Sequence, residues 1–345
     1  MYLLAQRLPV TYIENPLTLL NEQWRWDINK INSLAKESAV LINCCLENWG
    51  TDNFIGSLYD ELERANVNFL ILTHIYENHL TRPKLIHHPY WYHEKVVHGF
   101  NYTLTPIEKV VIPPLVDQKS YSISCLHGNP RPHRVLNYFK MQEYSSNKVI
   151  NQIFGGNLDH RINEDYQLDD CYKQWWEIVN VTLPTRHQIA ESEGLPNWVN
   201  VGTDVSHPAF TDAYINIVPE TTIINRIHQT EKIWKPILSG QMFVALANPF
   251  YIDRLRKQGV DVYDDVIDHS YYDCELDFET RFNKLHTLIK DLLSKDLLSI
   301  NIALHNRRQR NIDNFYSGKF DPHKNDLVQA LKQLIKDNTY EIPSD

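Results

Sequence analysis

Apolar residues in this chain fall into short unbroken runs, separated by longer stretches in which they recur every three or four positions. The run at 39–46 (AVLINCCL) predicts a buried strand. Behind Asn53, residues Phe54, Ile55, Leu58, Leu62 and Val67 recur at helical spacing, and 68–73 (NFLILT) predicts the next strand. Strand, helix and strand in series predict a parallel βαβ unit of the usual right-handed sense. Pro113-Pro114 and the polar residues after them interrupt the pattern and mark a boundary near residue 118.

The alternation then resumes. A strand at 121–126 (YSISCL) is followed by the loop HGNPRP and a helix over 133–144. A strand at 212–218 (DAYINIV) ends on Pro219-Glu220-Thr221. Thr230 is placed to cap an apolar helix, and 242–247 (MFVALA) is the next strand. Asn248-Pro249 predicts the start of a helix that Gly259 closes, and 276–299 predicts one long amphipathic helix. No repeat of 20–50 residues is present. The expected fold is α/β, with two Rossmann-like domains: residues 1–118, residues 119–300, and a helical extension over 301–345.

Composition narrows the function classes. The 345 residues carry 43 acidic and 34 basic side chains, a formal charge of −9, which disfavours a nucleic-acid backbone or an anionic membrane as partner. Five cysteines (44, 45, 125, 171 and 274) show no C-x-x-C spacing, so reduced thiols in a cytoplasmic setting are expected. The first residues lack the pattern of a secretory leader, and no run of about 18 apolar residues occurs, so no transmembrane segment is expected.

Candidate chemistry gathers after the strand ends of the second domain. Arg131, His133 and Arg134 follow the strand 121–126, Glu220 and Thr221 follow 212–218, and Glu231 and Lys232 open the helix behind Thr230. A helix amino terminus with neighbouring cations suits a diphosphate, and a carboxylate beside it suits the vicinal hydroxyls of a ribose. Pro236 breaks the local rule, since it removes the N–H that would bond the carbonyl of Lys232. Glu and Lys in a first helical turn are also common as solvated residues.

The segment 219–240 (PETTIINRIHQTEKIWKPILSG) resembles the donor-binding signature of the alpha-1,3-fucosyltransferases, and SISCLHGNPRPHRVLNYFKM is similar to the strand, loop and Arg-led helix that open their donor domain. The chain also resembles a broader group of phage and bacterial glycosyltransferases. The resemblance covers mainly 120–290 and implies the two-domain GT-B fold with an interdomain cleft. It implies inverting, metal-independent transfer from a nucleotide-diphosphate sugar, which is a substrate, so no cofactor is expected. Lys232 and Arg134 would hold the diphosphate, with Arg131 nearby, Glu231 would hold the ribose, and Glu220 would border the pocket. Thr221 stands where the fucosyltransferase motif has Asn, near the base, so GDP-fucose is not carried over as the donor.

Inverting transfer needs a base for the acceptor hydroxyl and a stabiliser for the leaving diphosphate. The base is expected from the first domain: Glu47, which follows its first strand, then Glu94, then Glu77. A glycan or a hydroxymethylated base in phage DNA is the expected acceptor, and a cytoplasmic location is expected, that of an infected bacterial host in the phage case. The aromatic segment around Tyr90, Trp91 and Tyr92 suits an acceptor surface. The run Arg307, Arg308 and Arg310, the densest basic stretch, reads as a solvated helix end, with contact to a phosphate backbone as the second reading. The acidic stretch 261–277 and the histidines at 87, 88, 93 and 98 lack metal-site spacing, so no metal is expected. The alternative from another class is a non-catalytic carbohydrate-binding or structural protein with a transferase-like fold.

Overall fold

Two parallel sheets organise the chain, each within its own compact unit: Met1–His98 with Lys319–Asp345, and Gly99–Gly318. The computed structural model describes residues 11–13, 16–19, 27–37, 39–44, 52–73, 75–76, 84–87, 111–112, 118–127, 131–144, 148–153, 205, 207–221, 223, 227–320, 329–330 and 332–333. Among these, no helix is long and apolar enough to cross a membrane.

The first unit carries strands β1 (Thr11–Ile13), β2 (Val40–Asn43), β3 (Phe69–Thr73) and β4 (Leu85–His87), hydrogen-bonded in that order and all parallel. Between them run α1 (Ile28–Leu34), capped by the Asp27 carboxylate on Asn29 N and Lys30 N, and α2 (Asp52–Arg64). The helical spacing read from the sequence is the buried stripe: Ile55, Leu58, Tyr59 and Leu62 of α2 pack with Val40, Ile42, Phe69 and Ile71 of the sheet. Each such side chain contributes roughly 1.5–3 kcal/mol when fully buried.

The second unit carries β5 (Tyr121–His127), β6 (Val149–Ile153), β7 (Ala213–Pro219) and β8 (Met242–Leu246), again all parallel, in the order β8–β7–β5–β6. Every residue of β7 and β8 is buried, as expected for strands covered on both faces. Three helices follow strand ends: α3 (Pro132–Met141), α5 (Glu231–Leu238) and α6 (Tyr251–Lys257), with the short α4 (Pro208–Thr211) preceding β7. The chain passes from β5 outward to β6, then returns across β5 to β7. That reversal makes the carboxyl ends of β5 and β7 a topological switch point, where ligands of open parallel sheets bind.

Two sequence expectations are corrected here. Residues 276–299 are not one helix. They form α8 (Phe278–Leu293) and the start of α9 (Leu297–Ala303), because Asp296 turns its carboxylate onto Ser299 N and Oγ and so begins a new helix. Asn248 does not cap α6 either; the Asp273 carboxylate, from α7 (Ser270–Asp273), accepts from Ile252 N at 3.0 Å and Asp253 N at 3.1 Å. The Pro236 expectation is refined, since α5 runs through it and ends two residues later. Gly240, at φ +70°, then reverses the chain, with Gln241 N on the Pro236 carbonyl.

A buried polar thread joins the sheet to α8 in this unit. Tyr144 Oη donates to His286 Nδ1, His286 Nε2 donates to Asn137 Oδ1, Asn137 Nδ2 donates to Cys125 Sγ, and His127 Nε2 lies 3.2 Å from the same sulfur. Burial holds His127 and His286 neutral down to about 3 and His269 to about 4, and it lowers His133 as well, helped by the neighbouring Arg134. Each of these groups is neutral when folded and protonates near 6.5 when released, so each adds stability above about 6.5 that is lost as pH falls toward its folded value. Asp273, which burial raises to about 6, acts in the opposite sense, losing stability as pH rises through that value. Four histidines outweigh one aspartate. The expected outcome is a thermal midpoint that falls steadily from pH 6.5 to 4, with proton uptake on unfolding measured by calorimetry in buffers of different ionisation enthalpy; a flat midpoint would contradict it.

Candidate functional site

The carboxyl end of β7 is where the polar residues meet. Glu220 is fully buried and its carboxylate is gripped by four donors. Oε2 accepts from Thr230 Oγ1 at 2.7 Å and from Thr221 N at 3.0 Å; Oε1 accepts from Tyr251 Oη at 2.6 Å and from Thr230 N at 3.1 Å. A buried carboxylate survives only with such compensation. One side chain thereby ties the end of β7, the cap of α5 and the first residue of α6. Both of its oxygens are occupied by protein donors, which makes it the frame of the site.

Three cations converge on the next residue. Arg131 Nη1 donates to Thr221 O at 3.0 Å. Arg134 Nη2 lies 3.0 Å from Glu220 O and 3.4 Å from Thr221 Oγ1, while its Nε donates to Pro219 O. Lys232 Nζ reaches Thr221 Oγ1 at 3.4 Å and Thr230 Oγ1 at 3.2 Å. Arg134 is buried and braces the strand end. Arg131 is partly exposed, and the Lys232 side chain keeps 21% exposure. His133, neutral, donates its Nε2 proton to Glu220 O at 2.8 Å.

The sequence explains how α5 delivers its first turn. Thr230 is extended and turns its hydroxyl onto Lys232 N, while Ile233, Trp234, Ile237 and Leu238 bury the opposite face, with Trp234 against Phe315 of α10 (His305–Tyr316). Gln229, just before the cap, exchanges two 2.9 Å amide bonds with Gln258 at the end of α6. Glu231 is thus presented beside Lys232, 2.7 Å away. Burial works against its ionisation, yet the Lys232 and Lys235 ammonium groups outweigh that and hold its carboxyl at about 2. It is an ionised acceptor at any working pH. The arrangement offers one anionic acceptor and a cationic corner open at Lys232 and Arg131, at the switch point of the sheet.

Six residues singled out in the sequence (Arg131, Arg134, Glu220, Thr221, Glu231 and Lys232) are therefore brought together. Glu47, Glu77 and Glu94, and the segment with Tyr90, Trp91 and Tyr92, lie outside the described residues. The contribution of Tyr251 is legible only in three dimensions. Its sole trace in the sequence is a position at the start of a helix after a strand.

The other charged stretches are internal fittings. Arg307 clamps Asp261 and Asp265, with its guanidinium over the Tyr263 ring, and Arg308 is buried on the carbonyls of Gly240 and Asn301. That differs from the solvated helix end expected of this run: of the three arginines only Arg310 is exposed. In the acidic stretch, Asp264 pairs with Arg256, Asp273 caps α6 and Asp277 caps α8. Among the described residues, no group of three or more potential metal ligands occurs.

The Glu220 frame makes a direct prediction. Glu220→Ala leaves buried donors of Thr230 and Tyr251 without their acceptor and is expected to cost about 3 kcal/mol in chemical denaturation, whereas Tyr251→Phe costs about 1 kcal/mol. A loss below about 0.5 kcal/mol for Glu220→Ala would contradict the assignment. In comparison with known proteins, no family model matches the chain and no curated protein matches it.

Proposed function

We propose that the chain is an inverting, metal-independent glycosyltransferase of GT-B architecture, whose unit Gly99–Gly318 binds a nucleotide-diphosphate sugar. The observation that carries this reading is the convergence of Arg131, Arg134 and Lys232 on Thr221 at the switch point. The motif resemblance over 219–240 supports it. Lys232 exchanges its Glu231 partner for the donor diphosphate, Arg131 assists from the start of α3, and Arg134 adds charge from behind. Glu231, freed from Lys232 and ionised, accepts from the ribose hydroxyls.

The chemical step follows from those roles. A base removes the proton from the acceptor hydroxyl, whose oxygen forms the new bond to the anomeric carbon as the bond to the diphosphate oxygen breaks. The leaving group departs with the electron pair and the extra negative charge, which fixed cations at the sheet edge stabilise without reorganising. Glu47 and Glu94 are the residues offered as base. A glycan hydroxyl is favoured over a base in DNA as acceptor, because Arg307 and Arg308 are spent inside the fold and the net charge is −9.

The test is a panel of nucleotide sugars read by thermal stabilisation and by mass spectrometry of the hydrolysed donor. At least one donor is expected to raise the midpoint and be turned over, since binding stabilises with the logarithm of ligand over Kd. Lys232→Ala is expected to weaken that donor by about 10- to 100-fold, the loss of a charge-assisted contact. Donor binding unchanged in that variant would contradict the proposal.

A further inference from the structure

Among the described residues, Phe250 is the large apolar residue at which backbone strain and exposure coincide. Its backbone is left-handed, at φ +61° and ψ +19°, a conformation that glycine adopts freely and a residue with a Cβ only at a cost. Among the described residues, two other non-glycines share a positive φ. Asn66 belongs to a residue type that tolerates it, and Tyr263 buries its ring against Phe243. Phe250 is 48% exposed. Strain at Tyr263 serves packing, whereas strain at Phe250 presents an apolar ring to solvent.

Hydrogen bonds behind that ring lead to the cation corner. Phe250 N donates to Asp273 O at 2.7 Å, and the Asp273 carboxylate caps the two N–H groups at Ile252 and Asp253. Its neighbour Tyr251 is fully buried and bonds Glu220 Oε1, and Glu220 N in turn bonds Leu246 O at the end of β8. The turn bearing Phe250 therefore follows the carboxyl end of β8, the strand beside β7, and shares the Glu220 frame with Thr221 and Lys232.

We propose that Phe250 is the platform on which the nucleobase of a nucleoside diphosphate stacks while the phosphates occupy the corner formed by Arg131 and Lys232. This rests on the reading of that corner as a diphosphate site. An aromatic face attracts any base, so it supplies affinity with little discrimination among bases. Covering the ring also removes exposed apolar surface from water.

The experiment is calorimetric titration of inorganic pyrophosphate, UDP and GDP into the full chain, as wild type and as Phe250→Ala, Phe250→Gly and Phe250→Tyr. Pyrophosphate is expected to bind all four equally. UDP and GDP are expected to bind the wild type and Phe250→Tyr more tightly than pyrophosphate does, and to weaken by about 10-fold in the other two. Phe250→Gly relieves the left-handed strain and is expected to melt above the wild type, which separates lost affinity from lost folding. Pyrophosphate binding with no tighter binding of UDP and GDP, or with no loss in Phe250→Ala, overturns the stacking proposal alone. Failure of pyrophosphate to bind the wild type overturns the diphosphate site and the stacking with it.

Discussion

A single buried carboxylate holds the candidate site together. Glu220 follows the last residue of β7 with water excluded, and its charge is tolerated because Thr221 N, Thr230 N, Thr230 Oγ1 and Tyr251 Oη all point at it. An unpaired ion there would cost several kcal/mol, so the four donors are held to one geometry. They belong to three successive segments of the sheet edge. Fixing them fixes the cap of α5, and with it the direction in which Glu231 and Lys232 leave the helix. The neutral His133 and the buried Arg134 complete the arrangement by bonding the Glu220 main-chain carbonyl.

From that constraint the site acquires its chemistry by position. The strand order β8–β7–β5–β6 brings the loops after β5 and β7 side by side, although 85 residues or more separate Arg134 from its partners in β7 and beyond. Cations from one loop and from the helix after the other therefore share Thr221. Such a corner stabilises negative charge at little cost in reorganisation, which is what departure of a diphosphate demands. Farther along the chain Arg307 pairs with Asp261 and Asp265, and Arg256 with Asp264, so those arginines are committed to carboxylates of the acidic stretch.

Much of this was legible in the sequence because the signals were local. The runs that became β2, β3 and β8 were apolar over four to six residues, those that became β5 and β7 were apolar runs interrupted by Ser or Asn, the stripe of α2 recurred at helical spacing, and Thr230 stood where a cap belongs. The strand ends then gave the six polar residues of the site. What escaped was non-local. The cap of α6 comes from Asp273, more than twenty residues after its start, and no rule of spacing links them. The break between α8 and α9 hinged on one aspartate whose carboxylate turned back on Ser299. The arginines of α10 read as a charged face because their partners, Asp261 and Asp265, lie over forty residues earlier.

Amide hydrogen exchange with and without a nucleoside diphosphate tests the central claim most directly, since it reports where a ligand settles. The account predicts slowed exchange at 131–135, 220–221 and 229–233, the segments that meet around Thr221. Protection confined to other parts of the chain, with these amides unchanged at saturating ligand, would contradict it.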